Sequence, residues 1–152
     1  MIQSYINTVT PLVSNEASLQ FQTDCIRTRS CGNCGGWLCH NEGSANYEIT
    51  EGGLYEVTFN ATASSATAGV VAFALFNNGE QIPGTLMAET LAAAGDYANI
   101  GINKKIKVCC RGNSTISVRA LSAVVTPTDP TTVTETEIPI IVNANLSINR
   151  IS

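Results

Sequence analysis

Four cysteines and the chain's only histidine fall between positions 25 and 40: Cys25, Cys31, Cys34, Cys39 and His40. The two-residue gap between Cys31 and Cys34 lets both thiolates reach one tetrahedral zinc ion, with Cys25 and either Cys39 or His40 completing four ligands. Such a site would be closed and structural. The same residues serve equally as disulfides in an oxidising compartment or as free thiols in a reducing one, and all three readings stand on the spacing alone. The stretch from Cys25 to Cys39 offers only Ile26, Trp37 and Leu38 for burial. Ordering it costs about 1–2 kcal/mol per residue, so a crosslink or a metal is the expected compensation. Cys109 and Cys110 are neighbours in an extended segment, where successive side chains point to opposite faces, so they do not pair with each other.

Catalytic chemistry finds little support. Cys39 adjoins His40, but in an extended segment the two side chains diverge, and no acid stands in sequence to orient the imidazole. Glu48, Glu51 and Glu56 read as the wet face of a strand and its turn rather than as a glycosidase pair. Lys104, Lys105 and Lys107 form the only basic cluster, and Asp96 and Asp129 lack the dense acidic spacing of a calcium loop. No catalytic residue, cofactor or metal site is assigned, and the expectation is a non-enzymatic protein.

The elements that must position these residues are strands. Of 152 residues, 44% are hydrophobic but only 13% charged, about half the usual quarter. The surface therefore rests on Thr, Ser, Asn and Gly, and long amphipathic helices, which need Lys and Glu outside, are not expected. A formal net charge of -4 argues against binding a phosphate backbone. No apolar run approaches the roughly 18 residues of a membrane span, and the start of the chain has neither a basic nor an apolar region of the kind that directs export. Nucleic acid and membrane are not expected partners.

Residues 1–15 read as an extended arm and 16–152 as one domain. Alternation at Ser18 to Gln22, at Asn46 to Thr50 and from Leu54 to Ala61 marks half-buried strands; in the last, Tyr55, Val57, Phe59 and Ala61 share the core face. The apolar run Gly69 to Phe76 reads as buried on both faces and ends at the hairpin signal Asn77-Asn78-Gly79-Glu80. Further strands are expected at Thr85 to Thr90, Tyr97 to Ile102, Ile106 to Cys110 and Ser114 to Leu121. One helical turn at most is expected at Leu91 to Ala94, and a surface loop from Val124 to Thr136. A terminal strand ending at Ile151 belongs in the middle of a sheet. Eight or so short strands separated by Gly and Asn turns describe an antiparallel sandwich.

Three motifs sharpen this reading: Gly53-Leu54-Tyr55-Glu56-Val57-Thr58-Phe59-Asn60-Ala61; Phe73 to Gly79 with Pro83-Gly84-Thr85; and the terminal Ala144 to Ile151. In order and spacing they resemble the jelly-roll domain of the tumour necrosis factor and complement globular-head superfamily. Together with His40-Asn41-Glu42-Gly43-Ser44 they resemble its prokaryotic branch, found on phage particles and at the tips of collagen-like bacterial surface and spore-coat fibres. The resemblance implies a compact homotrimer, with neighbouring subunits covering the outer face of the Val70 to Phe76 strand. Collagen-like Gly-X-Y repeats are absent from these residues, which favours a head without a stalk. The expected role is a virion protein of a bacteriophage, assembled in the host cytoplasm: a capsid decoration, head-fibre or fibre-tip module contacting a capsid or other virion protein. The alternative is a head domain that binds a receptor or glycan on a phage fibre, bacterial cell or spore surface.

Overall fold

Period-two alternation builds nearly every element of the computed structural model, which describes residues 1–14, 16–27, 36–109, 113–126 and 129–152. In chain order the strands are β1 (Ile2–Ile6), β2 (Thr10–Pro11), β3 (Thr23–Arg27), β4 (Leu38–His40), β5 (Tyr47–Ile49), β6 (Gly53–Ser65) and β7 (Gly69–Asn77). They continue as β8 (Glu80–Gln81), β9 (Met87–Leu91), β10 (Ala98–Val108), β11 (Ser114–Ala120), β12 (Ala123–Thr126), β13 (Asp129–Glu135) and β14 (Pro139–Arg150). The first sheet runs β10-β6-β14-β1-β3, with β2 also on β14; the second runs β4-β5-β11-β7-β8, with β9 also on β7. All these pairings are antiparallel. The core lies between the two sheets, where Tyr55, Val57 and Phe59 of β6 and Leu146 and Ile148 of β14 meet Phe73 and Leu75 of β7 and Ile116 and Val118 of β11.

The terminal strand is central, as its apolar alternation requires: β14 lies between β6 and β1. At the β7–β8 hairpin, Asn78 and Gly79 both take positive φ, 52° and 84°, the conformation that a two-residue turn matched to strand twist demands. The Leu91 to Ala94 stretch ends β9 and enters a turn, closed by the Ala93 N–H donating to the Asp96 carboxylate at 2.8 Å. Where two strands were expected between Tyr97 and Cys110, β10 is continuous, because Asn103 and Lys105 simply occupy its wet side.

Three expectations need correction. Residues 1–15 are not an arm apart from the sandwich: β1 pairs with both β14 and β3, and Ile2, Ser4 and Ile6 are buried. Their alternation is short, five residues, and the pattern is legible only once its partners are known. The Val124 to Thr136 segment is not a loop but contributes to a two-stranded ribbon of β12 and β13, as its β-branched Thr and Val allow. Finally, the middle of β7 needs no neighbouring subunit to cover it, whereas outward Val70 and Phe76 stay half-exposed. Val71, Phe73 and Leu75 face the core, while the outward Ala72 and Ala74 are sealed within the chain itself. The Ser18 to Gln22 segment alternates as read, with Leu19 and Phe21 wholly buried, but it joins β11 through a single bridge, Ser18 to Arg119.

Candidate functional site: an uncharged sheet face and a buried histidine

The outward side of the first sheet is built by the same alternation that fills the core. Register places Gln3, Ser147, Thr58 and Asn103 in one row across β1, β14, β6 and β10, and Tyr5, Asn145, Asn60 and Gly101 in the next. The Asn103 amide donates to the Thr58 hydroxyl at 3.0 Å, and the Thr62 hydroxyl donates to Asn99 at 2.9 Å. These two rows carry no charge; Glu56 and Lys105 stand opposite each other in a row nearer one end. Gly101 keeps the surface low at this point, since a Cβ there would sit 2.5 Å from Asn60 Oδ1. A shallow groove of about 290 Å³ follows, lined by Asn60, Thr62, Asn99, Gly101 and Asn143. Among the described residues these side chains are half-exposed or exposed and stand outside the apolar core.

The histidine has a structural setting that its sequence neighbours do not reveal. His40 ends β4 directly opposite Tyr47 of β5, and the rings stack with centroids 3.9 Å apart and planes within 5°. His40 Nδ1 lies 2.8 Å from the buried Asp24 carboxylate, and Nε2 lies 3.1 Å from the Ser44 carbonyl oxygen. The Ser4 hydroxyl donates to the same Asp24 oxygen, and the Asp24 N–H donates to Glu42 at 3.1 Å. An aspartate orienting an imidazole resembles half of a hydrolytic triad, but the serine here is bonded to the carboxylate and the second ring nitrogen faces a backbone carbonyl. Neither nitrogen points to open space, so His40 is committed to tying β1, β3, β4 and the 41–44 turn together.

Of the cysteine cluster, Cys25 is exposed on β3 with its thiol 3.4 Å from the Gln3 carbonyl, and Cys39 is buried on β4. Cys31 and Cys34, and with them the Cys-x-x-Cys reading, lie outside the described residues, as does Cys110; Cys109 is exposed just beyond β10. Among the described residues no group of three or more His, Cys, Asp or Glu side chains is arranged to hold a metal. Among the described residues no helix is long and apolar enough to cross a membrane.

The carboxylates weighed earlier are dispersed. Glu51 pairs with Arg150 at 2.5 Å across the turn that precedes β6, Glu48 is exposed on β5, and Glu56 is on the outward sheet face. The Tyr55 hydroxyl donates to the Glu51 carbonyl at 2.7 Å, and its ring lies 5.3 Å from that of Trp37. Burial pushes this phenol above its ordinary range; nearby Arg150 works against that shift and Glu51 adds to it. A cleft of about 520 Å³ opens beside these groups, between Trp37, Glu51, Asn149 and Arg150. Asp24, Ser4 and Arg150 were not singled out from sequence: each acts through a partner 16 or more positions away, and no local pattern announces such a pairing.

No protein-family model and no curated protein matches the chain. Solved structures do. The globular domain of zebrafish complement 1qA protein aligns over 99% of this chain and 96% of its own, with a TM-score of 0.65 and 8% identity. Eiger TNF from S. frugiperda aligns over 95% and 90%, with a TM-score of 0.51 and 7% identity. The chain is thus an all-β, antiparallel jelly roll of the TNF-like type. At such identity the likeness is one of fold.

Proposed function

We propose that this jelly roll is a non-enzymatic head module that works as a homotrimer. The observation carrying the proposal is the outward face of the first sheet, where strands from both ends of the chain align two rows of Asn, Thr, Ser and Gln without a charge. Interface centres are depleted of Lys, Glu and Asp, because stripping water from an ion costs more than stripping it from an amide or hydroxyl. A face of side chains that are both donors and acceptors can satisfy itself against copies of itself. The particular role we assign is that of a bacteriophage virion protein, a capsid decoration, head-fibre or fibre-tip module, supported by the order and spacing of the Gly53 to Ala61, Phe73 to Gly79 and Ala144 to Ile151 motifs. Sedimentation velocity over a hundredfold range of concentration tests the assembly, with a single trimeric species expected. A map of neighbouring genes tests the role: adjacency to a major capsid gene fits it, and adjacency to tail and lysis genes moves the protein to host recognition.

The Trp37 cleft favours one second reading, a glycan- or receptor-binding head. An aromatic ring beside a carboxylate and a guanidinium suits a sugar, whose apolar face lies on the ring while its hydroxyls reach the charged groups. Binding to immobilised glycans that is lost in Trp37→Ala would establish it.

A further inference from the structure

We propose that the outer face of the second sheet holds a site for a small hydroxy-carboxylate, built on Arg119 and Phe76. This goes beyond the assembly reading, does not depend on it, and concerns the sheet opposite the uncharged face. Arg119 of β11 lies opposite Ala74 of β7, and its guanidinium carbon stands 4.7 Å from the centre of the Phe76 ring. Its Nε is sealed from solvent with no hydrogen-bond partner, and no carboxylate among the described residues pairs with it. A half-buried cation usually has a carboxylate beside it, since desolvation without a partner is costly. Arg119 has an aromatic ring in that place, which holds the planar group in one orientation.

The guanidinium borders a pocket of about 260 Å³ lined also by Glu16, Leu121 and Ser122. Small side chains make the room: Ala120 and Ala123 also line it. The Arg119 fork matches the two oxygens of a carboxylate. Glu16, which accepts from the Ser122 hydroxyl at 2.7 Å, puts a negative charge at the same pocket. That charge opposes a dianion such as phosphate more strongly than a monoanion, and the carboxylate is an acceptor for hydroxyl donors on the ligand. The volume limits the ligand to about the size of one sugar ring, so the class is a hydroxy acid or sugar acid.

The test is titration of the protein with glucuronate, glucose and acetate, followed by amide chemical shifts. Glucuronate is expected to bind at least tenfold more tightly than glucose, which lacks the carboxylate, and than acetate, which lacks the hydroxyls, with shifts concentrated on β7, β11 and residues 121–123. Among the described residues Arg119→Gln removes no hydrogen bond or ion pair, so it is expected to fold and to lose glucuronate binding by tenfold or more. Arg119→Lys keeps the charge without the fork, and Phe76→Leu keeps the guanidinium without its platform; both are expected to weaken binding while the β-sheet circular dichroism is unchanged. Equal affinity for glucuronate and glucose, equal affinity for glucuronate and acetate, absence of glucuronate binding, or unchanged binding in folded Arg119→Gln would each overturn the proposal.

Discussion

Asn60 of β6 and Asn145 of β14 stand directly opposite each other at the middle of the uncharged sheet face, with Tyr5 and Gly101 flanking them on β1 and β10. If three copies meet through this face, one charge placed at its centre has to be buried without a partner, at a cost of several kcal/mol. Asn145→Lys and Asn60→Lys are each expected to yield folded monomers at concentrations where the parent chain is a trimer. Ala68→Lys, in the exposed turn between β6 and β7, is expected to leave assembly unchanged. Sedimentation velocity with circular dichroism on the same samples separates loss of assembly from loss of fold.

Removing residues 1–6 distinguishes a built-in strand from a detachable arm. Ile2 and Ile6 are both 3% exposed, and burial of an isoleucine is worth about 1.5–3 kcal/mol. The deletion also strips β14 and β3 of their shared partner and Asp24 of the Ser4 hydroxyl. The truncated chain is expected to lose most of its stability, read as the collapse of its cooperative urea transition, whereas an arm outside the sandwich would leave the midpoint in place.

The fate of β1 marks where sequence reasoning reached its limit. The long alternations, Leu54 to Ala61 and Ser114 to Leu121, were legible because one face is filled with large apolar side chains over several successive residues. The centrality of β14 followed from the same periodicity. β1, with one buried serine between two isoleucines, gives no comparable signal: Ser4 is inside because Asp24, twenty positions on, accepts its hydrogen bond. For the candidate sites the limit is sharper. Gly101 beside Asn60 and Arg119 over Phe76 are relationships of register, and register across nonlocal strands is set by the fold as a whole.

His40 offers a stability prediction free of any catalytic assumption. His40→Ala leaves the buried Asp24 carboxylate without its ring partner and uncovers the face of Tyr47. Removing a hydrogen-bond partner from a buried carboxylate costs about 1.5–3 kcal/mol. A loss of that size is expected in chemical denaturation at neutral pH, against little change in Cys25→Ser, whose exposed thiol meets the Gln3 carbonyl at 3.4 Å among the described residues.

Tyr55 gives the pH dependence. Burial first, then the Glu51 charge, hold its phenol above the ordinary tyrosine range, while Arg150 opposes them. The folded state therefore keeps the proton more tightly than the unfolded chain does, so this stabilisation is complete below the ordinary tyrosine pKa and is lost as pH rises through the higher folded value. In spectrophotometric titration Tyr55 is expected to ionise above the ordinary tyrosine range, and Tyr55→Phe is expected to remove that component and to flatten the fall in stability at alkaline pH.

Trimeric assembly is the centre of the account, and the molar mass of the purified chain by light scattering coupled to size exclusion tests it most directly. A stable species at three times 16.0 kDa, persisting on dilution, is the predicted result. A folded species at 16.0 kDa that is unchanged by concentration would contradict it.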